Sequence, residues 1–473
     1  MKLIINPFKP RNRELSHQII VLALPVIMSN LSRTFMNLAD VAMVGHLGAN
    51  ALAATGMGAM LVWIILSFAI SLRTATQTMA SRRLGQKKYN ECGVALHNGH
   101  LLAMLIGIPV SLLGYFFADK IVPLFIKDAD VIALCINYIS IAFLSVFVSM
   151  VGFVFQGFYT GIERTRIHMN VTITSNILNI YLNAGFIYGS EGLRNIFAST
   201  PLEFFGKIWT VLPFPALGVK GAAIATLIAS LWMGLHYSYY LFKPDIRSRY
   251  HVFSFTLNKT MLWRQVKLAF PQGSQEMLVM AGFSTFYKIV GVIGVIELAA
   301  TQVVFTILQT SFMPAAGIGQ ACATLVGKYM GEEKIERAEE SISESVRWSI
   351  LVMGTLGIIF LTLPHRILPF FTEDPEVIRL GSVGLRILGL VQFADAIGMT
   401  LWFALSGAGN TTYPAVVESL MVWGFFLPAV YFFGVHLGFG FIGAWGSLAA
   451  YIVLFALAMI RKIKTGDWKT IEV

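Results

Sequence analysis

Long apolar runs separated by short polar turns recur along the whole chain of 473 residues. None has the apolar–polar alternation of a half-buried strand, and a segment in lipid must satisfy its own backbone, so each run predicts a helix. A membrane-spanning helix needs about 20 apolar residues. The runs fall at 18–40, 51–80, 94–117, 131–160, 168–189, 219–242, 264–293, 297–327, 340–363, 377–406, 413–434 and 441–461. The expected fold is an all-α integral membrane protein with twelve transmembrane helices. A polar, basic stretch after the sixth run divides the chain into a first lobe over 1–243, a linker over 244–262 and a second lobe over 263–473. The connection 190–217 contains Pro201, Pro213 and Pro215, and its aromatic residues Phe204, Phe205, Trp209 and Phe214 suggest a loop along the outer membrane interface.

The two halves repeat each other. At an offset of 246, Leu22, Ala23 and Pro25 meet Leu268, Ala269 and Pro271; Gly45 and Gly48 meet Gly291 and Gly294. Leu52, Ala53 and Ala54 meet Leu298, Ala299 and Ala300, and further on Gly85 meets Gly331, Gly161 meets Gly407 and Thr165 meets Thr411. Past the 190–217 loop the offset becomes 222, where Gly218, Gly221 and Ala222 meet Gly440, Gly443 and Ala444. The first half therefore carries a 24-residue insertion in that loop. Six helices per copy insert both copies the same way up, which puts a pseudo-two-fold axis along the membrane normal. Two such lobes around a cleft form an architecture for alternating access.

Composition agrees with this picture and charge orients it. The chain is 56% hydrophobic and 13% charged, where a soluble domain carries about a quarter charged residues. Its net charge of +10 comes from alternate connections: Lys2, Lys9, Arg11 and Arg13, then Arg82 to Lys88, Arg164 and Arg166, Lys243 to Lys267, Lys328 to Arg337, and the tail from Arg461 to Lys469. By the positive-inside rule these face the cytoplasm, as do both termini, and no nucleic acid need be invoked. No cleavable signal peptide is evident, because the first run is long enough to remain an anchor. Cys92, Cys135 and Cys322 form no CxxC pair and read as small apolar fillers.

Ionisable residues inside spans are costly and mark functional sites by default. In the first span Ser29, Arg33, Asn37 and Asp40 share one helical face. Asp40 is the leading candidate for ion coupling, with a structural ion pair to Arg33 as the alternative. The repeat maps Asp40 onto Phe286 and Asp395 onto Ser149, so neither acid has a carboxylate counterpart. In the second half Glu276, Lys288, Arg386 and Asp395 lie within spans, where Lys288–Asp395 or Glu276–Arg386 pairs would neutralise them; a role in substrate or cation binding is the alternative. Arg73 and Arg347 can snorkel to an interface. Methionines and phenylalanines facing the cleft would give an adaptable apolar wall.

Several stretches resemble the multidrug and toxic compound extrusion (MATE) transporters. LADVAMVGHLG followed by LAA is similar to the signature of their first helix, and KIVGVIGVIELAA echoes it in span seven. FQGFYTGIERTR with NILNIYLNAGFIYG resembles helices four and five, and LWFALSGAGNTTYP the tenth helix and its turn. The resemblance covers nearly the whole chain in order. It implies a secondary antiporter exporting amphipathic, often cationic, compounds against protons or sodium, with no other cofactor. It places Asp40 on the essential acidic position of helix one, Asn179 and Asn183 on accompanying helix-five positions, Glu163 in the turn after helix four, and Asp395 on an acidic position of helix ten. Asn179 and Asn183 can donate hydrogen bonds to Asp40 or offer carbonyl oxygens to sodium. Glu163, beside Arg164 and Arg166, reads as a cytoplasmic gate or helix cap more than a cation ligand. Members with a second-lobe cation site tend to carry Glu eight residues after the span-seven proline; here that position is Val279, with Glu276 nearly one turn earlier.

Other chemistries lack their motifs. ATLVGKYMG has the GK of a phosphate-binding loop without its earlier Gly or its hydroxyl residue, and neither HExxH nor a nucleophile elbow occurs. The reading is therefore a proton-coupled exporter, not an enzyme, in a cytoplasmic (inner) membrane. Its partners are a small amphipathic or cationic substrate and the bilayer, and it acts as a monomer. Sodium coupling is one alternative. A lipid-linked oligosaccharide flippase is another; it should line its cleft with several cations, and only Arg33, Arg73 and Lys288 are available. A channel would need a filter segment that the chain lacks.

Overall fold

A computed structural model describes residues 10–198, 207–209 and 213–473. Lys2, Lys9, Pro201, Phe204 and Phe205 lie outside the described residues. Twelve long helices follow one another: α1 (Arg13–Gly45), α2 (Ala49–Gly85), α3 (Tyr89–Phe116), α4 (Ala129–Gly161), α5 (Thr165–Ala198), α6 (Val219–Leu241), α7 (Lys259–Ile293), α8 (Val295–Gly331), α9 (Ile335–Thr362), α10 (Pro375–Gly407), α11 (Thr412–His436) and α12 (Gly440–Thr465). Each predicted span falls on one of them. Eleven contain an apolar window of membrane-spanning length. The twelfth, α5, falls short because Thr172, Ser175, Asn176, Asn179 and Asn183 occupy its buried face.

Two helices depart from regular geometry at matching places. At Gly189 the backbone of α5 leaves the helical region (φ 74°, ψ 161°), where the predicted span ends. Its counterpart α11 widens into π-helix over Val422–Phe426 and Val430–His436, on either side of Pro428, which cannot donate an in-helix hydrogen bond. The described part of the 190–217 connection packs against α5. Trp209 stacks on Tyr181 and donates to its carbonyl at 2.8 Å, and Phe214 is buried against Phe186. The 243–262 stretch is also more ordered than a linker: it holds a short helix, Pro244–Tyr250, and the first turn of α7.

Within each lobe one helix forms the hub. In the first, α4 packs on α2, α3 and α6; in the second, α10 packs on α8, α9 and α12. Lipid offers no hydrophobic drive for helix association, so close approach depends on small residues. Side chains at Gly157 and Gly161 would strike the Arg73 and Gln77 carbonyls, and one at Gly407 would strike the Ala323 carbonyl. Gln77 and Ala323 are repeat equivalents, as are Gly161 and Gly407, so this packing was duplicated with the chain. Between lobes, α1 crosses to α8 and α7 crosses to α2.

One end carries the basic connections, and there the lobes touch along the pseudo-two-fold axis. A Cβ on Gly85 would sit 2.0 Å from the Lys328 carbonyl, and one on Gly331 would sit 2.2 Å from the Arg82 carbonyl. These two contacts are images of each other under the repeat. The four helix-ending turns here share one design: the amides of Lys88, Arg164, Lys334 and Asn410 reach back to the carbonyls of Arg83, Tyr159, Tyr329 and Leu405. Each turn needs a left-handed residue, namely Lys87, Glu163, Glu333 and Gly409. Three of the four are not glycine and accept a strain of about 1 kcal/mol. The segment after α12 lies across this end. Lys469 pairs with Glu339 at 2.6 Å, the Val473 carbonyl accepts from Arg83 of the first lobe, and the Val473 side chain abuts Gly409 of the second.

Candidate functional site

Helices α1 and α5 run side by side in the first lobe, tied by three polar rungs. Asn176 donates to the Ser32 hydroxyl at 2.9 Å, Asn183 to Asp40 Oδ1 at 2.5 Å, and Tyr188 to the Met43 carbonyl at 2.6 Å. The middle rung continues inward, because the Asn183 amide also donates to Asn179 Oδ1 at 3.1 Å. Asn179 and Asn183 are buried while Asp40 is half-buried, so the carboxylate is the most accessible of the three. The amide group of Asn183 carries a second signal: its Oδ1 is buried and has no hydrogen-bond partner. A buried carbonyl without a donor costs stability, which makes it an available acceptor for a proton or a cation.

The alternative pairing of Asp40 with Arg33 does not form; no ion pair joins them among the described residues. Asn37, on the same face, is exposed. Glu163 is not part of the Asp40 group either. Twenty residues of α5 separate its turn from Asn183, about 30 Å at 1.5 Å per residue. Instead both Glu163 oxygens accept from Lys328 Nζ of the opposite lobe at 2.9 Å. The same end is joined by Gln77 donating to the Gln320 carbonyl and Thr324 hydroxyl, Thr78 to the Ser406 carbonyl, and Arg82 to the Ala408 carbonyl. Among the described residues, every hydrogen bond and ion pair between lobes lies in this basic half. On α1 and α2 these bonds reach no farther than Gln18 and Thr74, and on α7 and α8 no farther than Gln272 and Gln320. Among the described residues the lobes are bridged by polar contacts at the basic end and not at the other.

The remaining charged candidates lie elsewhere along the helices. Neither predicted pair of the second lobe forms: Lys288 and Arg386 are both exposed, and no ion pair joins them to Asp395 or Glu276. Both basic residues sit on helices that are apolar nearly all round, so periodicity did not reveal which way they point. Arg347 does not snorkel; it is buried, paired with Glu344 at 2.8 Å and bonded to the Ser16 hydroxyl at 2.7 Å. Arg73 also stays inside, its Nε buried and without a partner.

Sequence reasoning passed over Glu418. It lies in α11, half-buried, accepting from Gln275 Nε2 at 2.5 Å and from the Tyr451 hydroxyl at 3.3 Å. Glu276 and Asp395 both lie within its Coulombic range. The rule that singled out Asp40, an ionisable residue within a span, also applies to Glu418. No group of three or more His, Cys, Asp or Glu placed to hold a metal ion occurs among the described residues.

A twelve-helix, two-lobe fold with a polar α1–α5 seam is thus on hand when the chain is set beside known proteins. A family model described as MatE matches residues 25–184 and 271–432, one stretch in each lobe. The chain belongs to the MatE family. It is similar to the "Probable multidrug resistance protein NorM" of Thermotoga maritima, 26% identical over 464 residues, covering 96% of this chain and 94% of that protein. It is similar also to the "Multidrug resistance protein NorM" of Burkholderia vietnamiensis, 24% identical over 448 residues with 93% and 91% covered. A solved structure described as the outward-facing conformation of a multidrug resistance MATE family transporter superposes with a TM-score of 0.84 at 19% identity, over 97% of each chain. That likeness speaks for the fold. As a MATE family member the chain is a multi-pass membrane transporter and not an enzyme.

Proposed function

We propose that this MATE transporter is an antiporter that exports amphipathic, cationic organic compounds in exchange for protons, with Asp40 loading and releasing the proton. The observation that carries the reading is the hydrogen-bonded chain Asp40–Asn183–Asn179 with the free Asn183 Oδ1 beside it. An ionised carboxylate accepts, and the Asn183 amide N–H serves it. A protonated carboxyl must donate, and the Asn183 carbonyl is the acceptor without a partner. A half-turn of one amide therefore keeps α1 and α5 joined in both protonation states while the charge at the cleft changes. That charge change biases substrate affinity by population shift. The names of the NorM relatives support drug-like cargo.

By the positive-inside rule the basic end faces the cytoplasm with both termini, in an inner membrane. The described conformation is then outward-open. The lobes 1–243 and 263–473 rock about the α2–α8 contact, and the Glu163–Lys328 pair acts as a latch on the cytoplasmic side. One chain encloses the whole cleft, so a monomer suffices.

A second reading has a specific observation in its favour. The oxygens of Asp40, Asn179 and Asn183 also suit a hard cation, and the Asn183 Oδ1 lacks any donor, so sodium would fit the same residues. The test uses purified protein in liposomes loaded with a pH-sensitive dye, with a proton or a sodium gradient imposed before an ethidium-like cation is added. Cation-evoked proton movement supports the proton reading; movement that requires sodium replaces it. No response with several cations would remove export altogether.

A further inference from the structure

At the basic end of the first lobe, a cavity of about 440 Å³ opens between the α2–α3 turn and the short helix Pro244–Tyr250. Sites for small molecules measure about 300–1,000 Å³. The wall includes Lys87, Lys88, Glu91, Arg249 and His251. Lys87, Lys88 and Arg249 thus face a single acid, and that acid is already taken. Glu91 pairs with Arg83 at 2.9 Å and with Lys88 at 3.5 Å. Among the described residues, neither Lys87 nor Arg249 has a carboxylate within 4.0 Å. The Arg249 guanidinium lies over the Tyr89 ring, 4.2 Å from its centre, which holds it at the cavity wall. The first turn of α3 also opens here without a side-chain cap, and a helix N-terminus favours an anion.

Close packing builds this cavity and extends it. A Cβ on Gly93 would sit 2.2 Å from the Tyr250 carbonyl, so glycine lets the short helix dock on α3. From Tyr250 the chain runs along α3 to the start of its apolar span. His97 Nε2 lies 2.8 Å from the Val252 carbonyl, and Asn98 donates to the Asn258 carbonyl at 3.1 Å. On that path Phe253, Phe255 and Leu257 are exposed, with Phe255 against the His97 ring. A basic cavity therefore continues into an apolar strip. The second lobe has the same turn without this charge. Glu333, Lys334, Glu336 and Arg337 stand where Lys87, Lys88, Asn90 and Glu91 do, and Ile471 and Val473 stand where Arg249 and His251 do. Those charges cancel, so the basic cavity belongs to the first lobe alone.

We propose that this cavity binds the phosphate of an anionic phospholipid from the leaflet at the basic end. Lys87 and Arg249 take the phosphate oxygens, and the acyl chains pass Phe253 and Phe255 into the bilayer. A guanidinium fork matches phosphate geometry, and basic pockets at a membrane surface select anionic headgroups. The apolar strip favours a lipid over free phosphate. Such a lipid would pin the segment that joins the lobes onto the first lobe. The inference goes beyond the export reading and does not depend on the compound exported.

The test is native mass spectrometry of the full chain in a non-ionic detergent, titrated with dioleoylphosphatidylglycerol, dioleoylphosphatidylcholine or glycerol 3-phosphate. Wild type should bind the first about tenfold or more tightly than the second, and glycerol 3-phosphate should not displace it at equal concentration. Lys87→Gln and Arg249→Gln should each weaken phosphatidylglycerol binding about fivefold, and the double variant more. Lys334→Gln, at the equivalent turn of the second lobe, should leave binding unchanged. Phe255→Ser should weaken binding of the lipid and leave glycerol 3-phosphate unaffected. Equal binding of the two lipids would overturn the proposal, as would phosphatidylglycerol binding of wild-type strength in the Lys87 and Arg249 variants. Displacement by equimolar glycerol 3-phosphate would replace the lipid with a soluble phosphate.

Discussion

Asp40, Asn179 and Asn183 of the first lobe correspond by repeat to Phe286, Phe425 and Ala429 of the second. Where one lobe has a half-buried acid tied to two buried amides, the other has a plug. Phe286 is fully buried, 5.2 Å from the Phe426 ring and 6.2 Å from Trp445. The same helices thus perform two tasks. The first lobe keeps a polar seam of hydrogen bonds, and the second keeps a packed aromatic cluster beside the π-helical, proline-containing stretch of α11. At the basic end the lobes stay alike, and Gly85 and Gly331 make mirrored contacts there. Duplication preserved the contact at the basic end and let the positions of Asp40 and Phe286 diverge.

That contrast can be broken from its shared side first. Valine at Gly85 or at Gly331 would drive a side chain into a carbonyl of the opposite lobe. Each should abolish transport to the same degree, measured as dye efflux from cells holding normal amounts of the protein in the membrane. A large difference between the two would deny their equivalence. Phe286→Asp comes next. It buries a carboxylate among rings and removes a large side chain, so it should destabilise the protein by about 3 kcal/mol or more, read as thermal unfolding in detergent. Tolerance of that acid would mean the plug is not packed as described.

Asn183→Ala removes the donor to Asp40 and should lower coupled transport about tenfold while leaving the melting temperature nearly unchanged. Asn176→Ala, which breaks the neighbouring rung to Ser32, is the control and should affect transport less. The smallest effect is expected at the latch. Glu163→Gln removes a partly exposed ion pair worth about 0.5–1 kcal/mol, which shifts the population open at the basic end by about two- to fivefold. Cysteine accessibility at that end would register the change, and no change would leave Glu163 a turn residue only.

Much of this organisation is written in the sequence because lipid leaves few choices. A chain that must bond its own backbone forms helices, and apolar runs mark all twelve, including α5, whose polar face Asn179 and Asn183 share. The α1 face with Asp40 followed from spacing alone. What spacing does not carry is the partner. Glu163 meets Lys328, 165 residues away, and Glu418 meets Gln275, 143 residues away, through lobe and helix packing that no local pattern encodes. The signs of Lys288 and Arg386 suggest partners in Asp395 and Glu276, yet both are exposed on helices with little amphipathic signal to orient them.

The central claim is that ion coupling resides in the first lobe. Its most direct test is substrate-evoked proton movement in liposomes, comparing wild type with Asp40→Asn, a change that keeps shape and removes the charge. The proton signal is expected to vanish in Asp40→Asn while binding of the cationic dye persists. A proton signal of wild-type size in that variant would show that the coupling carboxylate lies elsewhere, with Asp395 and Glu418 of the second lobe the next to be changed.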